Sequence, residues 1–138
     1  MKALVQRVTS ASVTVDGAEV SAIGPGLLVL LGVADTDRSD EADRLADKVR
    51  ELRVFDDSDG RMNEPLGERE VLCVSQFTLM ADTRKGNRPG YTHAARPKVA
   101  EPLYERFRDR LGAKGGVFGA RMAVELVNDG PVTLLLEA

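Results

Sequence analysis

Asp16-Gly17 stands between two stretches in which apolar and polar residues alternate, Ser12 to Val15 before it and Ala18 to Ile23 after it. A two-residue Asp-Gly link accepts positive φ at both positions, which is the backbone a tight antiparallel hairpin needs. The opening of the chain is thereby committed to paired strands, at residues 2–9, 12–15 and 18–23. Gly24-Pro25-Gly26 turns the chain again, and the run LLVLLGV at 27–33 has no polar face. A strand of that kind must be covered on both sides, so other elements have to lie across the sheet.

The cover comes from segments whose period changes. Ala42, Leu45, Ala46, Val49 and Leu52 recur at helical spacing, with Ser39 as N-cap and Asp40 and Glu41 suited to the first turn. After the break DDSDG at 56–60, the run VLCVSQFTL at 71–79 predicts another strand. A basic loop rich in Gly and Pro covers 82–97. A second helix is predicted from near Pro102, burying Leu103, Phe107 and Leu111. Strands at about 117–127 and 131–136 end the chain, with Asn128-Asp129-Gly130-Pro131 between them as a turn signal. Strands dominate and helices come one at a time. The expected fold is α+β: mostly antiparallel sheets, barrel-like or layered, covered by two helices, with residues 1–138 forming a single domain.

With 138 residues, 43% of them hydrophobic, such a domain can bury a core without staples. The longest apolar run, Leu27 to Leu31, is far too short to span a bilayer, and the N-terminus lacks the long apolar stretch of a signal peptide. One Cys excludes an internal disulfide and suits a reducing cytoplasm. Cys73, between Leu72 and Val74, reads as a small buried hydrophobe rather than a nucleophile. One Cys and one His cannot assemble a zinc-type ligand set, so neither metal nor cofactor is expected. The net charge of −3 argues against indiscriminate nucleic-acid binding. Yet Arg84, Lys85, Arg88, Arg96 and Lys98 fall between Thr83 and Lys98 with no acidic residue among them, enough to hold phosphates in one place.

Beside that loop stand the hydroxyls of Ser75 and Thr78. Either needs a base to become a nucleophile. The one histidine, His93, lies in a loop whose position the sequence does not fix, and strand-end hydroxyls commonly bond to backbone instead. Phe118 and Met122, in GVFGARM at 116–122, suit a pocket wall or plain core packing. Arg7 is a lone cation on an apolar strand; if buried, it must have acceptors, because an unpaired buried charge is prohibitive.

Taken together, QRVTSASVTVDG, GLLVLLGV, RVFDDSDGRMN, VSQFTLMADTRKGNRP, AEPLY, GVFGARM and LVNDGPVTLLLE occur end to end in the order found in the D-aminoacyl-tRNA deacylases, formerly called D-tyrosyl-tRNA deacylases, and the chain resembles that family. SQFTL and NDGPVT are its two signature stretches, and both are intact. The chain departs from the pattern at Gly90-Tyr91, where Ser-Phe is common, at Arg121, where Asp is common, and in short loops around 64–69 and 112–116.

The resemblance implies a homodimeric proofreading hydrolase that cleaves the ester of D-aminoacyl-tRNA or mischarged glycyl-tRNA and spares L-aminoacyl-tRNA. It assigns catalysis to Ser75, Gln76, Phe77 and Thr78, and chiral selection to Gly130 and Pro131 with Arg7, Phe118 and Met122. The tRNA acceptor end falls to Arg84, Lys85 and Arg88. It further implies a cis Gly130-Pro131 bond whose loop enters the partner subunit's pocket. Backbone carbonyls suit that task, since they can read the α-carbon and amine shared by every aminoacyl group. For the chemical step, Thr78 as nucleophile competes with a scaffold role in which the ribose 2′-hydroxyl assists water and amides near Phe77 and Thr78 hold the oxyanion. The absence of an evident base favours the scaffold. A non-catalytic RNA-binding module on the same fold is the alternative function. A small-ester hydrolase would want G-x-S-x-G, which is absent.

Overall fold

The computed structural model describes residues 1–138. β1 (Lys2–Val15) is one continuous strand rather than the two expected, and it organises the sheet. Its first half pairs antiparallel with β3 (Gly26–Gly32), its second half with β2 (Ala18–Ile23), and β8 (Ala123–Glu137) runs antiparallel along its other side. The expected hairpin is present: Asp16 and Gly17 take φ of 50° and 79°, and Val15 pairs with Ala18.

Beyond β3 the sheet turns parallel, through β6 (Glu70–Ser75) to β7 (Lys114–Gly115). β7 then comes back beside β2. Ser21 Oγ donates to the Gly115 carbonyl at 2.7 Å, and Lys114 Nζ to that of Ala22 at 2.9 Å. Side chains thus bridge a gap that a ladder would otherwise close, giving a nearly closed barrel. The two short strands β4 (Phe55–Asp56) and β5 (Met62–Glu64) form a separate ribbon.

β3 is buried on both faces, as its sequence requires. Leu27, Val29 and Leu31 face the helices, and Leu28 faces the barrel interior with Val8, Val13, Leu72 and Val74. Over the outer face lie α1 (Ser39–Glu51) and α2 (Pro97–Leu111), which bury Leu45, Val49, Tyr104, Phe107 and Leu111 among others. Each such side chain contributes about 1.5–3 kcal/mol by leaving water. Across their outer edge, Arg106 pairs with Asp43 and Arg110 with Asp47, each at 2.8 Å.

Five further sequence expectations are corrected. Arg38, not Ser39, is the N-cap of α1; the Glu41 carboxylate accepts its backbone N–H at 2.8 Å, which shifts the start by one residue. α2 begins at Pro97, whose missing N–H costs nothing in a first turn, so Pro102 lies inside the helix. The buried face then passes through Tyr104, leaving Leu103 half-buried. The strand expected at 71–79 ends at Ser75, and Phe77–Met80 coil into a 3-10 turn. Finally, 117–127 and 131–136 are not two strands about a turn. Both halves pair with β1, so β8 is one strand interrupted by a bulge where the register jumps from Val8↔Asn128 to Gln6↔Thr133.

Candidate active site

The 3-10 turn owes its place to a glycine. A Cβ on Gly32 would stand 3.0 Å from Leu79 Cβ and 3.1 Å from Met80 Sδ, so the turn packs closely on the bare α-carbon and a larger residue would push it outward. Gln76 still donates its N–H to the Leu31 carbonyl at 2.8 Å, the last rung beyond β6. Its backbone then turns away from the sheet, leaving Phe77 and Thr78 exposed. The N–H groups of these two residues open the turn and have no partner within it. The Gln76 side-chain amide donates to the Thr78 hydroxyl, so the nearest polar neighbour of that hydroxyl is a donor and not a base.

Ser75, Gln76 and Phe77 line a cleft of about 470 Å³ together with Phe118 and Met122. The far wall is the start of α2, with Ala95, Pro97 and Ala100. Phe118 leans on Tyr104, ring centroids 6.0 Å apart, and Tyr104 donates its hydroxyl to the Cys73 carbonyl at 2.7 Å, so α2, β6 and the wall are fixed to one another. Met122 folds back over Gly116, where a Cβ would meet its sulfur at 2.5 Å. No titratable side chain lines the cleft. Cys73, two residues before Ser75, is fully buried in the helix-side core, and burial pushes its thiol far above the ordinary range, so it stays protonated.

The basic loop meets this cleft through Tyr91, which lies against Phe77. Asp82 and Gly90 exchange both backbone hydrogen bonds, at 2.7 and 2.9 Å, closing the segment between them into a small finger. Arg84 is not free at its tip: its guanidinium grips Asp82 at 2.7 and 2.9 Å, and that bond holds the carboxyl well below the usual carboxylate range. Asp82 lies just before the stretch counted as purely basic, so counting charge from Thr83 onward overstates the loop. Lys85 and Arg88 are exposed and make no ion pair. Where the finger returns, the Tyr91 ring meets Phe77 edge to face, with centroids 5.0 Å apart. A Cβ on Gly90 would meet nothing closer than 3.9 Å, so its departure from Ser is sterically neutral.

Arg7, Gly130 and Pro131 are not brought to this cleft. They surround the β8 bulge, and Arg7 and Asp129 border a separate depression of about 200 Å³ with Asp56 and Arg69. The Gly130-Pro131 bond is cis, and both residues are exposed. Arg7, 12% exposed, has the acceptors its burial demands: the carbonyls of Val54 (2.7 Å) and Asp129 (3.1 Å), with the carboxylates of Asp56 and Asp129 at 3.6 and 3.5 Å. Asn128 closes the neck of the bulge, accepting from Val132 N–H at 2.9 Å and donating to Thr133 Oγ1 at 2.8 Å. Sequence reading did not single out Asn128, although an Asn at the edge of a turn signal commonly bonds to backbone nearby. Nor did it find Gly32 or Gly116, whose need appears only when another element packs on them.

The family model described as D-Tyr-tRNA(Tyr) deacylase matches residues 4–137. A protein from Opitutus terrae named D-aminoacyl-tRNA deacylase is 56% identical over 146 residues, spanning all of this chain and 97% of its own length. Among solved structures, one titled c-Myc DNA Unwinding Element Binding Protein superposes with a TM-score of 0.95 at 44% identity, covering 100% of this chain and 99% of that one. Another, titled as a probable eukaryotic D-amino acid tRNA deacylase, shares the fold at a TM-score of 0.83 with 16% identity, covering 99% of this chain and 98% of its own.

Proposed function

Because the chain belongs to the D-Tyr-tRNA(Tyr) deacylase family, we propose that it is a hydrolase that cleaves the ester of D-aminoacyl-tRNA, releasing free amino acid and tRNA. One observation carries the mechanism: the cleft that gathers Ser75, Gln76, Phe77, Phe118 and Met122 contains no titratable side chain. Such a site lends Ser75 or Thr78 no base of its own, which speaks against a catalytic triad. It can orient an ester that is already activated. The acceptor end enters with its phosphates toward Lys85 and Arg88, the amides of Phe77 and Thr78 meet the developing oxyanion, and the neighbouring ribose 2′-hydroxyl assists the attacking water.

Selection against L-aminoacyl groups falls to main-chain carbonyls at Gly130 and Pro131. They lie outside their own cleft, so in this reading they act in the cleft of a second copy, within a homodimer. Carbonyls in a fixed bulge are indifferent to the amino acid's side chain. They oppose the β-carbon of an L-residue, and glycine, which has none, passes. Arg7 and Asn128 hold the bulge that carries them. Residues 1–138 work as one domain, in the cytoplasm where aminoacyl-tRNA is made.

The test is release of free amino acid from matched D- and L-aminoacyl-tRNA by purified protein. Rapid hydrolysis of the D-ester with the L-ester spared is expected. Hydrolysis of neither, or of both alike, refutes the reading.

A further inference from the structure

The chain has four Phe, two Tyr and no Trp. Phe55, Tyr104 and Phe107 are buried, and Phe118 is half-buried in the cleft wall. The two exposed aromatic residues, Phe77 at 56% and Tyr91 at 37%, touch each other. Their rings meet at 63°, edge to face, so the ring offering its edge keeps both faces uncovered by its partner. Two aromatic rings held together at the surface contribute little to the core and expose apolar area that another planar group can cover. Phe77 also lines the cleft, so the pair stands at its rim, and Tyr91 directly follows the finger that carries the unpaired Lys85 and Arg88. Stacking surface beside free cations is what single-stranded nucleic acid requires: π-faces for bases and positive charge for phosphates.

We propose that Phe77 and Tyr91 form a stacking seat for the nucleobase preceding the terminal adenosine of the single-stranded acceptor end, with Lys85 and Arg88 on its flanking phosphates. The inference rests on the proposed function in taking the terminal adenosine and its ester to lie in the cleft. The next nucleotide must then leave over the rim, where the rings are. Tyr91 serves here as a binding residue for RNA rather than as part of the hydrolytic site.

Binding of uncharged RNA tests this separately from catalysis. The probes are a labelled single-stranded RNA ending in CCA and the same RNA with an abasic residue before the terminal adenosine. For the wild-type protein the abasic RNA is expected to bind roughly 5- to 150-fold more weakly, the range for losing one base–aromatic stack. Tyr91→Phe keeps that discrimination. Tyr91→Ala loses affinity for the intact RNA and no longer distinguishes the two. Lys85→Ala and Arg88→Ala weaken both RNAs equally, each lowering the salt slope of log affinity by about 0.7. Equal binding of the two RNAs by the wild type overturns the proposal, as does a Tyr91→Ala protein that still discriminates. It is also overturned if Tyr91→Ala weakens both RNAs alike or changes only self-association. A protein that passes these tests yet spares the D-ester refutes the deacylase reading and leaves the seat standing.

Discussion

Arg7 Nε donates to the carbonyl oxygen of Asp129 at 3.1 Å, so a cation on the first strand grips the residue immediately before Gly130. The same guanidinium donates through Nη1 to the Val54 carbonyl at 2.7 Å. Two distant segments are therefore tied through one rigid fork, and an ammonium cannot imitate that geometry.

Arg7→Ala is expected to lower kcat/KM on D-aminoacyl-tRNA by about 10- to 100-fold, equivalent to about 1.4–2.7 kcal/mol. Thermal stability falls as well, because two carbonyls lose charged donors worth about 1.5–3 kcal/mol each. Arg7→Lys recovers only part of either. Steady-state kinetics with melting curves decide this, and full activity in Arg7→Ala would remove Arg7 from any role in holding the bulge.

Gly130 has φ of +132°, and a Cβ there would stand 2.9 Å from Val132 Cγ2 and 3.0 Å from Arg7 Nη2. Gly130→Ala therefore shifts the bulge at a backbone cost of about 1–3 kcal/mol, while the surrounding sheet stays folded. The expected outcome is a compressed ratio of D- to L-ester hydrolysis. An unchanged ratio places chiral selection elsewhere.

Ser75→Ala and Thr78→Ala each lose no more than about 10-fold in kcat, against the ~10⁶-fold lost when a triad nucleophile is removed. The rate should also show no inflection from an enzymic base between pH about 6 and 8, since no titratable group lines the cleft. A substrate with a 2′-deoxy terminal ribose should not turn over. Unimpaired hydrolysis of that substrate rules out assistance by the nucleic acid.

Acid stability has a local origin between the helices. The bond from Arg106 holds the Asp43 carboxyl below its usual range, and that from Arg110 does the same for Asp47. A carboxylate more acidic in the folded than the unfolded chain stabilises above its unfolded value, near pH 4, and that contribution disappears as pH falls through the lower folded value. In Asp43→Asn/Asp47→Asn the urea midpoint should be lower at pH 7 and fall less steeply below pH about 4. A parallel offset at every pH would trace acid sensitivity to other groups.

Much of the scaffold was legible because local chemistry and tertiary demand agree there. Asp16-Gly17 had few alternatives to a hairpin, and LLVLLGV announced a strand covered on both faces. The misreadings occur where a partner overrules local preference. Asn128 to Pro131 looks like a turn between two strands, but β1 is long enough to pair with both sides and absorbs the extra residues as a bulge. Phe77 to Leu79 has strand-like residues, yet they coil into a 3-10 turn that packs on the bare α-carbon of Gly32. Several site residues stood out by their chemistry, but their roles, and the choice of Gln76, Phe77, Gly130 and Pro131, came from family resemblance. What spacing could not reveal is that they lie in two places, with Ser75, Gln76 and Phe77 lining one cleft, Thr78 exposed beside them, and Arg7, Gly130 and Pro131 around a separate bulge.

That separation has a genetic consequence. If the bulge serves a neighbour's cleft, as proposed, each working centre is the joint product of two copies, and defects in its halves should be complementary. Co-expressing a copy altered at Gly130 with one whose rim is destroyed at Phe77 would then restore some D-selective turnover that neither supplies alone, because hybrid pairs would contain one intact centre.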